Sequence, residues 1–120
     1  MNTETHYIKQ YLAPLYTQSA TYSLKIGDDC AVIDAKDKIL TSVDSSVEEQ
    51  HFPKDLNPYY VAYRSVAVAI SDIYAMGGIP ESYLLSISHP QPSDLWFGGF
   101  SKSEKAAAEA ALLRARAASP

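Results

Sequence analysis

Six side chains in this sequence stand out, by type and placement, as candidates for chemistry, and most of them are acidic. Asp28 and Asp29 stand side by side in KIGDDCAVID, Asp44 ends KILTSVD, and Asp72 interrupts the apolar run VAYRSVAVAISDIYAM. Ser42 precedes Asp44 by two positions, and His51 follows in VEEQHF. Carboxylates and a hydroxyl, without paired cysteines or histidines, are hard oxygen donors. They suit magnesium, which keeps several waters and bridges a few carboxylates to substrate phosphates, better than zinc. Each also has a plainer reading. Gly-Asp-Asp is ordinary turn chemistry, Asp44 can cap a segment, and a loop histidine is commonly just solvated. Asp72 is the most pointed of the set. Its helical neighbours Val68, Ala69, Ala75 and Met76 cannot pair with it, and a buried carboxylate needs a partner or a cation.

Four kinds of element must position these residues. Ile8, Tyr11, Leu12 and Leu15 recur at helical spacing, so a helix is expected over about 5–16, kinked or ended at Pro14. CAVID and KILTSVD read as two strands joined by the turn AKDK. In the second, Ile39, Thr41 and Val43 point one way and Leu40, Ser42 and Asp44 the other. Asn57 as N-cap and Pro58 at the first position start a helix that should run to about Met76, stopped by Gly77-Gly78 with Pro80 beyond. That helix is apolar around most of its circumference, so burial on several sides is expected. SYLLSIS is a third strand candidate, and Trp96, Phe97 and Phe100 open an amphipathic segment. From Lys102 the chain turns alanine-rich. It favours helix but offers only Leu112 and Leu113 as sizeable apolar side chains, so a solvated or frayed helix is expected, with a largely disordered tail as the alternative.

The bulk numbers exclude several classes. At 120 residues and 47% apolar, the sequence suits one domain with one core. A net charge of −4 argues against a nucleic-acid surface, yet it leaves small phosphorylated ligands open, since a cation inverts a local field. Cys30 is the single cysteine, so no internal disulfide forms. MNTETHYIKQ is no signal peptide and no stretch approaches a membrane span, so a soluble, cytoplasmic protein is expected. There is no Walker loop, no dinucleotide fingerprint and no nucleophile elbow.

The ordered series GDDCAVI, TSVDSSVEEQHF, AYRSVAVAISDIYAMGGIP and YLLSISHP resembles the N-terminal half of the thiamine-monophosphate kinase family. The likeness covers about residues 4–103. That family shares a superfamily with aminoimidazole ribonucleotide synthetase and selenophosphate synthetase. The resemblance implies an α+β domain of the aminoimidazole ribonucleotide synthetase-like fold, with a mixed or antiparallel sheet covered by helices on one face and two copies paired as a homodimer. It implies ATP- and Mg2+-dependent phosphorylation of thiamine monophosphate to thiamine diphosphate. The acceptor phosphate attacks directly, so no protein nucleophile is expected. Asp29, Ser42, Val43, Asp44 and Asp72 correspond to magnesium ligands of the family, and His51 to a substrate contact.

Three departures stand out. Val43 replaces the usual threonine, which a backbone carbonyl ligand survives and a hydroxyl ligand does not. Glu49 stands where the family has glycine. The family continues into a nucleotide-binding motif and a C-terminal domain, whereas residues 104–120 read as an alanine-rich tail unlike it. Two readings therefore remain: an N-terminal domain of the kinase, or a non-catalytic remnant that dimerises and binds magnesium or phosphate. A cousin enzyme of the superfamily is a third.

Overall fold

A computed structural model describes residues 4–15 and 37–118, with side chains as far as residue 110. The chain divides into two compact units, 1–40 and 41–120. In the first, the expected N-terminal helix is present but changes pitch along its length. It is α-helical over Glu4–Tyr7 (α1), π-helical over Ile8–Leu12 and 3-10 over Ala13–Leu15. The Ala13 N–H reaches back five residues to the Ile8 carbonyl. Pro14 lacks the N–H that would continue the ladder, so a change of pitch beside it has a direct cause.

The second unit is built on two helices. Its first, α2, spans Pro58–Ala75. The Asn57 side chain accepts from the Tyr59 N–H at 2.9 Å, and Pro58 occupies the first turn, as expected. At the other end the Gly78 N–H bonds the Ile73 carbonyl and the Gly77 N–H bonds the Tyr74 carbonyl. With Gly77 at φ 73°, this is a Schellman stop, and it needs a residue that tolerates positive φ.

The second helix, α3, spans Asp94–Ala118 without interruption. The Ser93 hydroxyl accepts from the Trp96 N–H at 3.2 Å at its start. Val61, Ala62 and Val66 of α2 are buried, as are Phe97, Phe100 and Ala107 of α3. Phe52, Leu56, Leu85, Ile87 and Trp96 pack around the Val61–Ala62–Phe100 centre. The helices start close together: a Cβ on Gly99 would lie 3.1 Å from Pro58 Cγ, so glycine permits the approach.

The alanine-rich segment departs from expectation. Ser103 and Glu104 are buried, Glu104 at 1% exposure, and Glu104 Oε2 has no hydrogen-bond partner. Positions 97, 100, 104 and 107 fall on one helical stripe, so Glu104 sits in line with the two phenylalanines. Its burial pushes the carboxyl up to about 7, and burial together with the Glu104 charge pushes the Tyr83 hydroxyl up to about 12.

The expected sheet does not appear among the described residues. Only an isolated parallel bridge, Glu48 to Phe52, is present. CAVID lies outside the described residues. Among the described residues neither KILTSVD nor SYLLSIS meets a neighbouring strand, and a strand is defined by the ladder it shares. Alternation survives in SYLLSIS all the same. Leu85 and Ile87 are half-buried on the core while Leu84, Ser86 and Ser88 are exposed. The His89 ring meets Trp96 edge-on at 4.6 Å, and Trp96 stacks on Phe100 at 5.0 Å, which ties this segment to α3.

Candidate metal and phosphate site

Two of the acidic-site residues meet. The Ser42 hydroxyl donates to Asp72 Oδ2 at 3.0 Å across thirty residues of sequence. Asp72 belongs to the last turns of α2, and Ser42 to the irregular segment before the 47–52 turn. The burial expected of Asp72 is not observed. Its carboxylate is exposed, because α3 covers the Val61–Val66 side of α2 and leaves the Asp72 position open. The case for Asp72 therefore rests on its contact with Ser42 and its accessibility, not on a burial penalty.

Asp44 is exposed two residues beyond Ser42, and the Val43 side chain is 93% exposed. Asp28 and Asp29 lie outside the described residues. Among the described residues no three Asp, Glu, His or Cys side chains gather closely enough to hold a metal. What the structure brings together is a hydroxyl and a carboxylate, both oxygen donors and both open to solvent. That donor chemistry fits magnesium, which accepts few protein ligands and fills its remaining positions with water and phosphate oxygens.

His51 is held by its own turn. Its Nδ1 accepts from the Val47 N–H at 2.9 Å, and its backbone N–H donates to the Val47 carbonyl at 2.8 Å. With Nδ1 accepting, the neutral ring carries its proton on Nε2, so the exposed edge of His51 is a donor. The turn is closed by the Glu49 N–H on the Phe52 carbonyl at 2.7 Å, with Glu49 at φ 67°. Glu49, where the resemblance expects glycine, is thus a left-handed position, and glutamate occupies it under strain.

Two residues of this region escaped the sequence reading. Arg64 Nη1 donates to Ser46 Oγ at 2.8 Å, and both are half-buried. Ser46 reads from sequence as a plain loop hydroxyl, and Arg64 as a polar exception on an apolar helix. The signal was in the spacing. Ser46 lies two residues past Asp44, and Arg64 lies two helical repeats before Asp72.

The family model for AIR synthase related protein, N-terminal domain, matches residues 27–114. The chain belongs to that family. Among curated relatives, thiamine-monophosphate kinase of Buchnera aphidicola subsp. Schizaphis graminum is 46% identical over 80 residues, covering 65% of this chain and 25% of that protein. The enzyme of that name from Buchnera aphidicola subsp. Acyrthosiphon pisum is 38% identical over 103 residues, covering 84% of this chain and 32% of that protein. That of Escherichia coli (strain K12) is 34% identical over 98 residues, or 80% of this chain and 30% of that protein. The resemblance to the N-terminal part of thiamine-monophosphate kinase holds. The chain spans between a quarter and a third of the length of these relatives. Among the described residues no helix is long and apolar enough to cross a membrane.

Proposed function

We propose that this chain supplies the magnesium- and phosphate-binding part of an ATP-dependent kinase that converts thiamine monophosphate to thiamine diphosphate. The observation that carries the reading is the Ser42–Asp72 hydrogen bond. It joins two of the residues that the family resemblance assigns to magnesium, from segments far apart in sequence. The kinase names of the relatives support the reaction class and its two substrates.

In this reading Asp44 and Asp72 would hold Mg2+ with the Ser42 hydroxyl, Asp29 would join them, and the Val43 carbonyl would take the place of a threonine ligand. Magnesium, when bound, screens the phosphates of ATP and thiamine monophosphate from one another. His51 donates from Nε2 to a phosphate oxygen of the acceptor, its ring angle set by the Val47 N–H. No side chain attacks phosphorus, since the acceptor phosphate is itself the nucleophile, so the protein's part is placement and charge. Pairing of two copies belongs to the same proposal, supported by the exposed Val43, Val47 and Leu84. The proposed setting is the cytoplasm.

The test is incubation of the purified chain with ATP, Mg2+ and thiamine monophosphate, alone and with the remainder of a relative supplied as a separate polypeptide. Thiamine diphosphate formed only in the second arm, with Mg2+ binding in the first, is the expected result. Mg2+ binding without turnover in either arm would leave the non-catalytic reading. Absence of Mg2+ binding would overturn the site.

A further inference from the structure

Arg64 and Asp72 belong to one stripe of α2, with Val68 between them at four-residue spacing. The two hydrogen bonds that reach this stripe come from one short segment and run in reverse order. Ser42 bonds Asp72, and Ser46 bonds Arg64. Eight residues of helix rise about 12 Å, and four residues of extended chain span about 13 Å. The lengths match when 42–46 runs near full extension and antiparallel to α2. In an extended chain alternate side chains share a side, so Ser42, Asp44 and Ser46 share theirs, with Asp44 midway between two anchored serines.

From this geometry we infer that Arg64 and Ser46 are positioning residues: they pin the far end of the 42–46 segment to α2 and so hold Asp44 beside the Ser42–Asp72 pair. The inference rests on the proposed function for what Asp44 does, and on the two hydrogen bonds for how it is held. Neither residue touches the metal or substrate in this scheme.

The chemistry favours a clamp over an ordinary surface contact. Arg64 is half-buried, and no carboxylate lies within ion-pair range of it among the described residues, although the chain is net acidic. Its one described bond goes to a neutral hydroxyl, an uncommon way to employ a guanidinium that could pair with acid. On the other side, residues 37–45 are exposed throughout and meet no strand among the described residues. Without the Ser46 anchor, the Ser42 bond alone would leave Asp44 on a chain free to swing. A ligand held at one end only is bound more weakly, because metal binding must then order the chain as well. Partners one shell removed from a metal typically change affinity by about 10- to 100-fold.

The experiment uses the full 120-residue chain in four forms: wild type, Ser46→Ala, Ser46→Thr and Arg64→Met. Mg2+ is titrated by calorimetry, and amide hydrogen exchange is followed without metal. The clamp requires faster exchange over residues 43–46 and about tenfold weaker Mg2+ binding in Ser46→Ala and Arg64→Met. Exchange at Ala62 and Val66 should stay at wild-type rates, which separates a loosened segment from a damaged helix. Ser46→Thr keeps the hydroxyl and should bind within about twofold of wild type, a rescue that mere packing at Ser46 would not give. Should Arg64→Met fail to fold, the Ser46 pair decides alone. Unchanged exchange, or wild-type Mg2+ affinity in Ser46→Ala, overturns the clamp and leaves the proposed function standing. A wild-type chain that binds no Mg2+ overturns the proposed function and the clamp's role with it.

Discussion

Two helices pack together in this domain, and each carries one carboxylate where its own sequence misleads. Asp72 stands on α2, whose circumference is largely apolar, and it is exposed and hydrogen-bonded to Ser42. Glu104 stands on α3, in a segment of alanines, lysines and glutamates, and it is buried with one oxygen unpartnered. Counting apolar residues around a helix predicts the reverse for both. What decides is the stripe that meets the other helix. On α2 that stripe is Val61, Ala62 and Val66; on α3 it is Phe97, Phe100, Glu104 and Ala107. Burial is a property of the pair.

The sharpest way to break this contrast is Glu104→Gln. Burial raises the Glu104 carboxyl from 4.5 in the free group to about 7. Between those values the folded chain holds a proton that the unfolded chain has released. Folding is therefore most favoured below about pH 4.5, loses stability as pH rises toward 7, and changes little from this group above that. A shift of this size corresponds to about 3 kcal/mol. The glutamine variant should match wild type near pH 4.5 and exceed its unfolding free energy by up to about 3 kcal/mol at pH 8, read from denaturant melts. Parallel profiles for the two proteins would place Glu104 in water, and the comparison would collapse.

Glu49 refines the same point, for it is an acidic residue whose strain lies in the backbone. It is exposed, at φ 67°, in the turn that orients His51. A left-handed residue with a Cβ costs about 1–2 kcal/mol, and glycine gives back part of that in unfolded-state entropy. Glu49→Gly should therefore stabilise the chain by about 0.5–1 kcal/mol, read from denaturant melts. No gain, or a loss, would mean that the backbone angle at this position carries no cost.

Local signals were the legible ones. Asn57-Pro58 and Gly77-Gly78 bracket α2 because caps are made by the residues that spell them. The period-two pattern of SYLLSIS reports which side chains turn inward even though no neighbouring strand is described. Long-range facts were harder. The meeting of Ser42 with Asp72 was legible only through family resemblance, since nothing in either segment specifies the other. Arg64 and Ser46 were missed because each looks ordinary alone. Glu104 was missed for a different reason. The 97–100–104–107 register was on the page, but a charged residue within it is read as a surface residue unless the partner helix is known. What glutamate does at the position where the resemblance expects glycine is answered by φ at Glu49: the residue is left-handed, and the strain is accepted.

The smallest stability effect should come from the carboxylate with the largest proposed role. Asp72→Asn keeps the shape of the side chain and an oxygen for the Ser42 hydroxyl to donate to, and the site is exposed. Unfolding free energy should stay within about 0.5 kcal/mol of wild type. Mg2+ binding should nevertheless weaken by about tenfold or more, since a neutral amide oxygen replaces a charged ligand. The two neutralising substitutions would then behave as opposites. At Glu104 removing the charge helps the fold, because burial disfavours that charge; at Asp72 it leaves the fold alone and removes the charge a cation needs. A fall in stability at Asp72 with metal affinity intact would make the Ser42–Asp72 bond a structural tie, and the two helices would no longer divide their work between folding and binding.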